Sequence, residues 1–103
     1  MKRFAAHYLW SQQTGLQKQY VVEISEGFAL KTFPLTEEIE SVEWHPGLIV
    51  LSPEREISLE TLKLMMQLPQ ISDEPQPLYA HLFYPFGFTL MQPVAGTQHR
   101  LLL

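Results

Sequence analysis

Alternation dominates the first half of the chain. Phe4, Ala6, Tyr8 and Trp10 place bulky groups on one face of an extended segment, with Ala5, His7 and Leu9 on the other. Ser11 to Gly15 is turn material, and Gly15 can take a positive φ. A second strand follows, in which Tyr20, Val22 and Ile24 alternate with Val21, Glu23 and Ser25. Glu26-Gly27 is a tight-turn signal, and Phe28, Leu30 and Thr32 open a third strand that Pro34 ends. Two strands around a two-residue turn predict a hairpin.

After the polar link Thr36-Glu37-Glu38, Val42 to Trp44 leads through Pro46-Gly47 into Leu48-Ile49-Val50-Leu51. That run is continuous rather than alternating, the pattern of a strand covered on both faces and hence the candidate centre of the core. Ser58 to Leu68 is the one convincing helix. Ser58 is the N-cap, Glu60 lies in the first turn where the dipole favours a carboxylate, and Pro69 marks the stop. Leu59, Leu62, Met65, Met66 and Leu68 form its apolar face, with Glu60, Lys63 and Gln67 outward. Residues 69–77 form a proline-punctuated loop. Leu78 to Tyr84 returns to strand, Pro85 and Gly87 bend the chain, Phe88 to Met91 pairs back, and Thr97 to Leu103 is a last short strand. The expected fold is mainly β: a small β-sandwich or open barrel with one short α-helix at about residues 58–68. It is a single domain over 1–103, with strands in 3–51 and 78–103.

Composition narrows the function classes. The chain has 103 residues, 46% of them hydrophobic, which suits one packed core and no second one. The net charge of −4, from seven basic and eleven acidic residues, argues against a nucleic-acid or anionic-membrane surface. With no cysteine, disulfides, thiolate metal sites and thiol catalysis are excluded. The apolar stretch after Met1-Lys2-Arg3 is too short for a signal peptide and no run reaches the roughly 18 residues of a spanning helix, so a cytoplasmic location is expected.

Candidate chemistry is sparse. His7, His45, His81 and His99 fall on four different segments with no HxH or HExxH spacing, so the expectation is structural histidines and no metal or other cofactor. Glu37, Glu38, Glu40, Glu43, Glu54, Glu56 and Glu60 hold seven of the eleven acids; the cluster reads as a solvated acidic face rather than an acid/base pair. No GxSxG elbow or glycine-rich phosphate loop occurs, which leaves no support for an enzyme. The most unusual stretch carries Tyr79, His81, Phe83, Phe86 and Phe88. With Leu78, Ala80 and Leu82 facing the core, those aromatic side chains form a candidate interaction surface if their face is exposed. The competing expectation is that the helix or a second sheet covers them.

One resemblance adds to this reading. The opening Arg3-Phe4-Ala5-Ala6-His7-Tyr8, then Gly15-Leu16, Val21-Val22-Glu23-Ile24, and Ser41-Val42-Glu43-Trp44-His45-Pro46-Gly47-Leu48-Ile49-Val50-Leu51-Ser52-Pro53 together resemble the N-terminal segment of the amidohydrolase superfamily. The likeness is to its cytosine-deaminase and chlorohydrolase-like branch. In those enzymes a small β domain, composed from both chain ends, flanks a metal-dependent (β/α)₈ barrel, and an apolar strand with PG leads into an HxH metal motif. Here Glu54-Arg55-Glu56-Ile57 follows Pro53, so no metal ligand carries over, and the roughly 250 residues of such a barrel do not fit. The resemblance implies a non-catalytic, stand-alone composite-type β domain acting as a protein-interaction module. Its apolar face would be covered by its own helix, by a second copy in a homodimer, or by another protein. The competing readings are a small-molecule-binding protein using an aromatic-lined cavity between sheet and helix, its ligand unknown, and an inactive enzyme remnant.

Overall fold

The computed structural model describes residues 2–36, 42–67, 77–87 and 92–102. Six strands form one sheet: β1 (Lys2–Ser11), β2 (Gly15–Ser25), β3 (Phe28–Pro34), β4 (Val42–Ser52), β5 (Tyr79–Gly87) and β6 (Gln92–Leu102). One helix, α1 (Leu59–Gln67), lies between β4 and β5. The strand order is β3-β2-β1-β4-β5-β6, so β1 and β4 hold the centre, as the unbroken Leu48–Leu51 run implied. They form the parallel pair; the other four neighbouring pairs are antiparallel.

The protein is therefore mainly β with one short helix. The sheet is single and open, not a two-sheet sandwich and not a closed barrel. It does curl: the Ala29 N–H of β3 donates to the Leu78 carbonyl at the start of β5, at 2.8 Å. The concave side of that curl holds the larger core, built from Phe4, Ala6, Leu9, Val22, Ile24, Ile49, Leu51, Leu78, Ala80, Leu82 and Leu102. On the other face a second cluster joins Trp10, Leu48, Val50 and Phe83 to Ile57 and the α1 residue Leu62.

Local chemistry explains most boundaries. Glu26 and Gly27 both have positive φ, 54° and 84°, as a two-residue primed hairpin turn requires. Ser58 caps α1 by accepting the Thr61 N–H on its hydroxyl at 3.1 Å. The expected one-sided alternation of β1 does not hold, however. Phe4 and Ala6 lie in the concave core with Leu9, whereas Tyr8 and Trp10 belong to the opposite cluster. The pleat reverses at His7, where the pairing with β4 slips: Ala6 stands opposite His45 but Tyr8 opposite Leu48, so Pro46 and Gly47 together face one residue of β1. Gln19, across from His7 on β2, has φ 52° and marks the same irregularity.

Two further expectations are corrected. β5 does not stop at Tyr84 but continues through Pro85 to Gly87, and β6 starts at Gln92 rather than Thr97, running through Gly96. Pro85 is tolerated because the β5–β6 register slips between Tyr84 and Phe86, where a missing N–H breaks no regular ladder. The proline-rich loop, Phe88 to Met91, Glu37, Glu38, Glu40 and Leu68 lie, wholly or but for Pro77, outside the described residues.

Candidate functional site

On the α1 side of the sheet, β5 presents Tyr79, His81 and Phe83 in alternation. His81 and Phe83 are completely buried and Tyr79 half-buried. The competing expectation thus describes these residues: α1 and its lead-in cover Phe83 through Ile57 and Leu62, and His99 of β6 covers it from the side. Tyr79 packs on Phe28 of β3, ring centres 5.2 Å apart, with the Arg55 guanidinium carbon 6.0 Å from its ring centre. The side chain of Phe86 and the whole of Phe88 lie outside the described residues, as do the side chains of Leu59, Met65 and Met66.

Folding joins two histidines that sequence spacing kept apart. His99 pairs with Phe83 across β5–β6 and its ring stacks on both Phe83 (4.7 Å, 14°) and His81 (4.9 Å, 28°). His81 Nδ1 lies 2.8 Å from His99 Nε2, and His81 Nε2 lies 2.9 Å from the Glu54 carbonyl oxygen. A carbonyl can only accept, so His81 carries its proton on Nε2 and donates it to Glu54. Neutral His81 then has a bare Nδ1, which accepts the Nε2–H of His99. The result is a directional chain, His99 to His81 to Glu54, linking β6, β5 and the segment leading to α1.

Both histidines titrate below the usual imidazole range. Burial is the main cause for His81; the hydrogen bond to the Glu54 carbonyl partly opposes it, and the charge of His99 adds to the lowering. Burial lowers His99 too: its outer edge is exposed, but the stacked side of the ring is shielded. The 2.8 Å nitrogen–nitrogen spacing is that of a hydrogen bond, tighter than two ligands on one metal adopt at about 2.0–2.1 Å each. Among the described residues no group of three or more His, Asp or Glu is placed to hold a metal ion.

The other two histidines flank the β1 irregularity. His7 meets Trp44 edge to face at 5.1 Å, and His45 tilts against Phe4 at 5.7 Å. His45 Nε2 is 3.5 Å from Glu43 Oε1, an ion-pair spacing without hydrogen-bond geometry. The expected solvated acidic face holds where it is described, since Glu43, Glu54, Glu56 and Glu60 are exposed. Glu23, outside that cluster, is buried, and its carboxylate accepts the Arg3 Nε–H at 2.9 Å.

A cleft of about 130 Å³ opens at the end of the curl, lined by residues that include Ser11, Thr14, Lys31, Leu51 and Leu78. It lies between β3 and the β1–β2 turn, not between sheet and helix. Among the described residues no helix is long and apolar enough to cross a membrane. No protein-family model, curated protein or solved structure matches the chain.

Proposed function

We propose that the protein is a non-catalytic interaction module, related in kind to the composite β domain that flanks amidohydrolase barrels, and that it docks by adding a strand to its sheet. The observation that carries this is the β6 edge. β6 is an eleven-residue strand at the end of an open sheet, and among the described residues no strand pairs with its outer side. A long unpaired edge is a ready template for another strand, and proteins ordinarily shield such edges. The opposite edge is shielded: β3 has seven residues, ends in Pro34 and is tied to Leu78. Two of the segments behind the amidohydrolase resemblance, Arg3–Tyr8 and the Val42–Ser52 part of Ser41–Pro53, lie side by side in β1 and β4.

The partner is a second copy of this chain or another protein, and a cytoplasmic setting goes with the reading. Among the described residues the cleft of about 130 Å³ falls below the roughly 300–1,000 Å³ of ordinary ligand sites, so that cleft does not itself favour a small-molecule role. The test is hydrogen exchange across a concentration series, alongside sedimentation velocity. Docking of a second copy is expected to protect β6 amides in step with the growth of a dimer while leaving β3 unchanged. If the chain stays monomeric to high micromolar concentration, the same measurement with a protein isolated on it decides. β6 amides that stay equally exchangeable in that complex refute strand addition.

A further inference from the structure

We propose that the His81–His99 pair is a proton-operated latch: it fastens β6 and the segment between β4 and α1 to β5 while neutral, and releases them when it takes up a second proton. The geometry sets the stoichiometry. The neutral pair is satisfied, with His99 Nε2–H donating to His81 Nδ1 and His81 Nε2–H donating to the Glu54 carbonyl. One added proton can be accommodated by reversing the first bond, so that His81 Nδ1–H donates to His99 Nε2 and His99 carries its remaining hydrogen on Nδ1. A second cannot. Two imidazolium rings would point N–H at N–H across 2.8 Å, with His81 fully enclosed.

The surroundings offer the doubly charged pair little relief. From β4, Val50 stands opposite His81 and carries no charge. The segment before α1 brings Glu54, Arg55 and Glu56, all exposed, and Glu54 meets the ring through its backbone oxygen. On α1, Glu60 is exposed; on β5, Tyr79 shares the face; on β6, the neighbouring Arg100 is exposed and stands opposite Leu82, on the other face of the strand. Carboxylates in open solvent stabilise a buried cation only weakly. What the latch holds is specific: Glu54 begins the stretch carrying Ile57 and Leu62 onto Phe83, and His99 is the outer cover of the same ring.

The direction of the pH effect follows. Both histidines bind protons less readily in the closed protein than in the open chain, where imidazole titrates near 6.5. Closure is therefore fully favoured above about pH 6.5 and weakens as the pH falls below it. The opening constant rises by up to about tenfold per pH unit for each histidine, hence up to about 100-fold per unit when both are taken up on opening.

The experiment is amide exchange, corrected for its intrinsic pH dependence, on the full chain between pH 7.5 and 5, with ring nitrogen NMR in parallel. Opening of β6 and of residues 53–57 is expected to steepen below pH 6.5 more than opening of the β1–β2 hairpin. The spectra are expected to show both rings as Nε2–H tautomers titrating below 6.5. The variant His99→Gln keeps an amide N–H for His81 Nδ1 but has no proton of its own to gain, and is expected to halve the steepness. A His81 ring titrating at or above 6.5, equal steepness in all strands, or an unchanged slope in His99→Gln overturns the latch. Should that variant fail to fold, the NMR titration of the unaltered protein decides alone. None of these outcomes bears on strand addition at β6, which is tested at fixed pH.

Discussion

Replacing Gly47 by alanine tests the central packing directly. Gly47 has φ +142°, a conformation that side-chain-bearing residues rarely adopt, and the strain for alanine is about 1–3 kcal/mol. Space is the second obstacle. A Cβ at this position falls 2.5 Å from the Phe83 carbonyl oxygen and 3.0 Å from Tyr84 Cβ. The obstruction is backbone of the neighbouring strand, so no side chain can swing aside, and β4 and β5 must part by several tenths of an ångström. They would part where Leu48 faces Phe83, both wholly buried, which is overpacking of about another 1–3 kcal/mol. The two contributions predict a loss of about 2–6 kcal/mol. For a domain of this size the melting temperature falls by at least about 8 °C, at roughly 4 °C or more per kcal/mol. Urea unfolding followed by tryptophan fluorescence measures it, since Trp10 and Trp44 lie on β1 and β4. A Gly47→Ala protein within 1 kcal/mol of the parent refutes both the positive φ and the close approach of β5.

Three further substitutions probe separate parts of the structure. Ser58→Ala removes the acceptor for the Thr61 N–H and is expected to cost about 1 kcal/mol in chemical denaturation, with Ser58→Asp restoring most of it. Leu62→Ala truncates the α1 residue that is fully buried against Trp10 and Phe83, at about 2–4 kcal/mol; a cost below 1 would mean that α1 does not pack on the sheet. Arg3→Ala leaves the buried Glu23 carboxylate without its partner and is expected to cost about 1–2 kcal/mol, discounted because Arg3 is partly exposed. The double variant Arg3→Met with Glu23→Met should lose less than the sum of the two single changes, and strict additivity would contradict the pair.

What could be read from the sequence was local. The Glu26-Gly27 turn, the Ser58 cap and the double coverage of Leu48–Leu51 each follow from adjacent residues, and each is found. The pleat reversal at His7 was hidden for a definite reason. Phe4, Ala6, Tyr8 and Trp10 alternate without interruption, while the irregularity is imposed from β4, where Pro46-Gly47 occupies the space opposite one residue. Likewise Pro85 reads as a strand breaker until the register slip beside it is known. The His81–His99 contact depends on which residue of β6 faces Phe83, a register that no spacing between positions 81 and 99 encodes. Alternation counted from the buried Ala80 and Leu102 puts His81 and His99 on one face once those two are known to face the core, but their contact needs the register.

The parallel pairing of β1 with β4 bears on how the chain reaches this structure. β1, β2 and β3 are neighbours in sequence and in space, joined by tight turns, so they can assemble as a meander from local encounters. The centre of the sheet cannot: Arg3 must find Val42, and Trp10 must find Val50, across the full length of both intervening strands. Closing that loop precedes any reward from the Leu48–Leu51 core, which sets the nucleation barrier and places folding toward the slower, millisecond-to-second range of β-rich domains. During synthesis the N-terminal meander would wait with one side of β1 unpaired until β4 emerges, and that interval is when the chain is most exposed to pairing with a neighbour.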